Sequence, residues 1–219
     1  MTPRTKSRVT LLAIVAPFVL FFLAGRYLID VEELPKVNKG QLLVPHIDMA
    51  ALNATDSNEQ PYDGNDMSTQ WTLLYVAGED CDTRCKNGLY YQVQQVRLTL
   101  GEDIQRVRRV ILHTAPAGAE LQTFLTDKVD GMVSIHAAPA DVTQALAPVY
   151  APETSQPIGD IFLVSPDGQI FMRYPTHENM DATLEEAENI RVDLKRTLKG
   201  SLIGYCLLYT SPSPRDGLL

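Results

Sequence analysis

Cysteine is scarce: three in 219 residues, at Cys81, Cys85 and Cys206. So few cannot staple a scaffold, so the fold must rest on an apolar core. Basic residues are also outnumbered, 19 against 27 acidic, for a formal net charge of −8. The N-terminal segment carries Arg4, Lys6, Arg8 and Arg26 and no acid, so the remainder stands near −12. That balance argues against nucleic acid or an anionic lipid surface as partner, and suits a cationic metal ion or a basic face. Repeats and low-complexity runs are missing. GxGxxG, P-loop, HExxH and GxSxG motifs are missing too, and no residue constellation supports a dedicated hydrolase or dehydrogenase.

Long hydrophobic runs are limited to one. Val9 to Gly25, "VTLLAIVAPFVLFFLAG", is uncharged and lies at the short end of what spans a bilayer, about 17–25 residues. Basic residues precede it, and Asp30, Glu32 and Glu33 follow it, so the N-terminus is expected inside and the rest outside. A cleaved signal peptide is the rival, but the run is long for one and "FFLAGRYLID" offers no evident small-x-small site. Either reading sends the soluble part to an oxidising compartment, the periplasm in a bacterium. The expected organisation is a cytoplasmic N-terminus at 1–8, an inner-membrane transmembrane anchor at 9–25 and a linker at 26–40. A domain at 41–204 follows, then a tail at 205–219.

That tail is expected to be non-native. "CLLYTSPSPRD" is similar to the in-frame translation of a transposase-type sequencing adapter, and its prolines follow a helix with no apolar period. Without it, Cys81 and Cys85 are an even pair.

The rest, about 175 residues, has the length of one domain. "QLLVP" and "IDMAAL" predict two short strands, and Asp56–Ser68 a polar loop with a turn at Asp63–Gly64. Trp71–Val76, "WTLLYV", predicts a strand buried on both faces. Leu89, Val93, Val96 and Leu100 recur at helical spacing, and Gly101 stops the helix. Val107–His113 predicts the next strand, Glu120–Lys128 a short helix, "GMVSI" a strand, and Asp141–Ala147 another helix. "DIFLVSPDGQIFMRYP" predicts a hairpin turning at Pro166–Asp167–Gly168. Leu184, Ala187, Ile190 (or Arg191 by phase), Leu194 and Leu198 form the stripe of a last helix, capped by Thr183 or Asp181. Strand, cysteine turn, helix, strand, then a hairpin and a covering helix make an α/β, thioredoxin-like mixed sheet flanked by helices.

Cys81 falls in the turn after the first core strand and Cys85 in the first turn of the helix. Three readings stay open: a structural disulfide, a redox pair, or a soft-metal site. So short a loop removes little chain entropy, which weakens the first. In the second, the helix start favours a thiolate, while Glu79, Asp80 and Asp82 oppose it and Arg84 and Lys86 partly offset them. Cys81, the more exposed by position, is the expected attacking thiol. In the third, two thiolates suit Cu(I) and need a third ligand. His113, at the end of a core strand, is the best placed; His177 must fold back to reach, and His46 and His136 sit in loop or edge contexts. Met172 and Met180 read as packing residues.

The anchor, the "WTLLYV" strand, "CDTRC", "LYYQVQQVRLTLG" with "RVRRVIL", the "LVSPDG" hairpin and "DLKRTLKGS" together resemble the Sco/SenC family of thioredoxin-like proteins, over about Gly40–Gly204. The closer resemblance is to small bacterial membrane-anchored proteins associated with cytochrome c oxidase assembly. It implies that Cys81 and Cys85 cycle between dithiol and disulfide or bind copper. The family's copper histidine is not matched: its place falls near Pro157, in "TSQPIGD". The resemblance therefore implies a thiol–disulfide oxidoreductase acting at Cys81 and Cys85 during oxidase assembly. The alternatives are a Cu(I) chaperone using Cys81, Cys85 and His113, or a non-catalytic assembly protein with a structural disulfide. The expected partners are the inner membrane and cytochrome c oxidase or its assembly factors.

Overall fold

A computed structural model describes residues 13–23, 37–62, 70–150 and 157–208. The chain divides into two units, Met1–Val37 and Asn38–Leu219. In the first, residues 13–23 are helical with exposed side chains. The remaining parts of the expected anchor, 9–12 and 24–25, lie outside the described residues. Among the described residues no helix is long and apolar enough to cross a membrane.

The second unit is built on six strands: β1 (Gln41–Asp48), β2 (Trp71–Ala77), β3 (Val107–His113), β4 (Val133–His136), β5 (Ile161–Val164) and β6 (Gln169–Tyr174). Their order across the sheet is β1-β6-β5-β2-β3-β4. β2 runs parallel to β3, pairing Trp71 with Val107 through Ala77 with His113, and antiparallel to β5. β4 continues the parallel side, and β6 and β1 the antiparallel side. β2 is thus a central strand, and its continuous apolar run follows from burial on both faces: all its residues but Trp71 are buried.

Helix α1 starts as Thr83–Asn87, widens into a π-helical stretch, Gly88–Gln95, and ends as Val96–Leu98. The others are α2 (Ala119–Lys128), α3 (Pro139–Leu146) and α4 (Met180–Leu208). Leu73, Tyr75 and Ala77 face one layer, where Leu89, Val93 and Val96 of α1 and Ile190, Leu194 and Leu198 of α4 are buried with them. Leu74 and Val76 face the other, against Val142 and Leu146 of α3 and the 3-10 turn Met49–Leu52. The alternation along β2 places two cores on the two sides of one sheet. The expected mixed sheet flanked by helices is observed.

Three expectations need correction. "QLLVP" and "IDMAAL" are not two strands: Gln41–Asp48 is one strand, and Asp48 caps the 3-10 turn by accepting from the Ala50 N–H. Leu184 is not part of the buried stripe of α4 but 50% exposed, and Thr183 takes the inward position. The α4 cap is Asn179, whose side-chain oxygen accepts from the Ala182 N–H, rather than Thr183 or Asp181. A short polar side chain just before the helix satisfies one of its first-turn amides. α4 carries helix to Leu208, the first four residues of the expected tail; 209–219 lie outside the described residues, as do 63–69 with the expected Asp63–Gly64 turn.

Candidate functional site

The end of β2 and the start of α1 meet at the cysteine pair. Asp82 caps α1: its Oδ1 accepts from the Cys85 N–H at 2.8 Å, and its backbone carbonyl accepts from Lys86 N–H at 3.0 Å. That cap leaves Cys81 just outside the helix and Cys85 in its first turn, with Cα atoms 5.1 Å apart and the sulfurs joined in a disulfide. Such a separation lies within ordinary disulfide range.

The segment before β5 closes over this turn. Gly159 N–H donates to the Val76 carbonyl at 2.8 Å, and Val76 N–H to the Asp160 carbonyl at 3.1 Å. Gly159 has φ +90°, and a Cβ there would lie 3.4 Å from the Arg84 guanidinium carbon, so glycine serves both the turn and the close approach. Asp160, 1% exposed, holds the arrangement electrostatically. Its Oδ1 pairs with Arg84 Nη2 at 3.2 Å and its Oδ2 with Arg173 Nε at 2.6 Å. Tyr150 donates its hydroxyl to Oδ2 at 2.5 Å, and the Arg173 guanidinium stacks 4.6 Å over the Tyr150 ring. Burial, and then the Asp160 charge, push the Tyr150 hydroxyl well above its ordinary range, so it stays a donor. Arg84 Nε also donates to the Thr176 hydroxyl and carbonyl, at 2.8 and 3.1 Å. The loop before α4 is thereby drawn to the cysteine end.

That same loop is fastened along α1. Asn87 Nδ2 donates to the carbonyls of His177 and Glu178, and Gln92 Nε2 to that of Pro175 at 3.0 Å. At Gly88 a Cβ would fall 2.5 Å from Thr176 Cγ2 and 3.2 Å from the Tyr75 ring. The π-helical widening begins at this residue, where the helix has no room for a side chain.

Two charges expected to offset the acidic turn are thus directed elsewhere. Arg84 is committed to Asp160 and Thr176, and Lys86 pairs with Glu120 on α2. Glu79, Asp80 and Asp82 remain exposed around the pair.

The expected exposure of the two sulfur residues is reversed. Cys81 is 1% exposed and Cys85 7%, so Cys81 is the deeper of the two. A cavity of about 160 Å³ opens beside them, lined by Tyr75, Gly78, Asp80, Asp82, Arg84, Cys85, Ile158 and Gly159. Cys85 contributes to its wall; Cys81 does not. A residue in the chain before a helix reads as exposed, but here it is covered in the layer formed by α1 and β2. Burial lifts the Tyr75 hydroxyl far above its ordinary range, against Arg84 and with Asp82 and Asp160, so it faces the cavity as a neutral donor.

His113 opens elsewhere. It lines a cavity of about 540 Å³ with Asn53, Thr55, Thr114, His136 and Asp141, among others, and no cysteine. It is 4% exposed, its ring stacks on His136 with centroids 5.1 Å apart, and its Nδ1 has no hydrogen-bond partner. Burial, helped by His136, lowers its pKa to about 4. Among the described residues no group of three His, Cys, Asp or Glu is gathered to hold a metal, so Cys81, Cys85 and His113 do not form one cluster. Two reduced sulfurs would suit Cu(I), but the third donor is not brought to them. His46 lies against Phe171, and Met172 is packed in the core, accepting from Tyr174 hydroxyl at 3.2 Å.

Asp160 and Thr176 escaped the sequence reading. A carboxylate placed directly before the apolar strand "IFLV" was the available signal, since a buried charge there needs partners.

A family model described as "Transmembrane-like, thioredoxin-like, C-terminal domain" matches residues 71–201. The chain belongs to this family. The matched span takes in the cysteine turn, the Asp160 segment and most of α4, so this thioredoxin-like domain carries the whole candidate site. No curated protein matches the chain. Among solved structures it is similar to copper-bound ScoI of Bradyrhizobium japonicum, at 15% identity over 69% of this chain and 97% of that one, TM-score 0.42. It is similar to apo Sco1 of Thermus thermophilus, at 14% over 71% and 98%, TM-score 0.45. It is also similar to the thioredoxin domain of a thiol-disulfide oxidoreductase of Bacteroides vulgatus, at 14% over 70% and 97%, TM-score 0.43.

Proposed function

We propose that this protein is a thiol–disulfide exchange module, held to the bacterial inner membrane by the segment at 9–25, with its domain in the periplasm, and serving cytochrome c oxidase assembly. The observation that carries the chemistry is the Cys81–Cys85 disulfide at the β2–α1 junction of a thioredoxin-like domain, with one sulfur residue in a cavity wall. The membrane and oxidase parts rest on the apolar run and on the Sco/SenC-like stretches of sequence. In exchange, a partner thiolate attacks one sulfur, the Cys81–Cys85 bond breaks, and the other cysteine leaves with the electron pair and takes up a proton. The partner's second thiol then displaces the mixed disulfide. The pair gains two electrons and two protons, and the partner dithiol becomes a disulfide.

The near-complete burial of both cysteines favours one other reading, a disulfide that only fastens the turn of an assembly protein. Equilibrating the full chain, with Cys206→Ser, in glutathione buffers of graded potential separates the two. Exchange predicts free thiols that track the buffer within minutes. A pair that stays oxidised throughout, with oxidase assembly intact after Cys81→Ser, would establish the fastening role. Stoichiometric Cu(I) on the reduced chain, lost in both Cys81→Ser and His113→Ala, would point to copper delivery. Carbonate extraction and protease accessibility of membranes check the anchor and the side on which the domain lies.

A further inference from the structure

We propose that Cys85, not Cys81, is the sulfur that a partner reaches, and that Cys81 is the buried cysteine that leaves and later resolves. This rests on the exchange reading above and assigns the two roles within it. Cys85 lines the cavity bounded by Gly78, Ile158 and Gly159, while Cys81 is covered at 1% exposure among the side chains of β2 and α1.

The surroundings fit this division. Cys85 is held by backbone on both sides: its own N–H goes to Asp82, and the next residue's N–H to the Asp82 carbonyl. Its neighbour Arg84 is anchored to Asp160 and Thr176. Cys85 therefore stands on a hydrogen-bonded frame in the cavity wall, 7% exposed against 1% for Cys81. Cys81 lies in chain without helical hydrogen bonds, between the end of β2 and the Asp82 cap. When an incoming thiolate bonds to the Cys85 sulfur, the S–S bond breaks toward Cys81, which takes the electron pair and a proton. Cys81 then sits behind the mixed disulfide, shielded from solution thiols. Its return attack on Cys85 regenerates the intramolecular bond and releases the partner thiol, so electrons and protons balance in both directions.

The primary structure makes the test direct, because trypsin cuts after Arg84 and places the two cysteines in separate peptides. The oxidised full chain with Cys206→Ser is exposed to cysteamine, quenched in acid, and alkylated with N-ethylmaleimide before digestion. A second series uses glutathione, whose opposite charge keeps exposed Asp80 and Asp82 from deciding the result. Cysteamine or glutathione on Cys85, with N-ethylmaleimide on Cys81, is expected in about tenfold excess over the reverse pattern for both probes. Equal labelling, or adducts mainly on Cys81, would overturn the assignment while leaving exchange intact. No adduct on either cysteine under native conditions would sink the exchange reading, and the assignment with it. Single variants give a second measurement. Reduced Cys81→Ser should capture cystamine faster than reduced Cys85→Ser, with thermal unfolding confirming that both are folded; the reverse order would also overturn the proposal.

Discussion

Two strand ends lie side by side and do different things. Ala77 ends β2 and His113 ends β3, and the two are paired in register. Beyond Ala77 the chain turns into a disulfide braced by a buried carboxylate, two guanidinium groups, a phenol and a threonine. Beyond His113 there is a neutral imidazole stacked on His136, with Nδ1 unpartnered, at the edge of a larger cavity. A paired register brings backbones together but leaves each side chain to its own opening. The cysteine end is built as a frame of paired charges, and the histidine end around a buried imidazole stacked on its neighbour.

The largest effect should come from breaking the frame. Asp160→Ala leaves Arg84 and Arg173 facing each other with no carboxylate between them. Asp160 is buried but the Arg84 and Arg173 side chains are 40% and 20% exposed, so the loss should fall at or below the low end of the roughly 3–5 kcal/mol that breaking a fully buried pair costs. Urea unfolding should show that loss, and Asp160→Asn, which keeps an oxygen for Tyr150, should lose less. A stability change below about 1 kcal/mol for Asp160→Ala would mean that the frame does not brace the turn.

The histidine end should reveal itself through acid. Because the folded pKa of His113 is near 4 and its ordinary value 6.5, the unfolded chain binds more protons between those limits. Its contribution to stability is present above pH 6.5 and is lost as pH falls toward 4. A pH series of unfolding midpoints should be flatter across that window in His113→Gln than in the parent. An identical slope would place the acid sensitivity elsewhere. The smallest effect belongs to the exposed pair of Lys86 and Glu120: Lys86→Ala should change stability by less than about 1 kcal/mol, and less still in high salt. A larger loss would extend the frame to α2.

How much of this could be read from the chain depends on distance along it. The strand Val107–His113 and the hairpin around Pro166–Gly168 were legible because apolar period and turn residues act within a few positions. The burial of Leu89, Val93, Val96 and Leu100 was legible for the same reason, since one helical face must be covered. Leu184 misled because positions 183 and 184 both lie about one turn before Ala187, and what packs there covers Thr183 and leaves Leu184 half-exposed.

From Trp71 onward the sequence by itself determined the order of strands and helices, the central place of β2 and the position of the two cysteines on either side of a helix start. Each follows from local pattern and from the need to bury apolar runs. Tertiary structure alone decided that Arg84 answers to Asp160 and Thr176, 76 and 92 positions away, and that Cys81 lies deeper than Cys85. It also decided that His113 faces a different cavity from the sulfurs. Burial and ion pairing depend on what packs on top, and segments distant in the chain supply that cover.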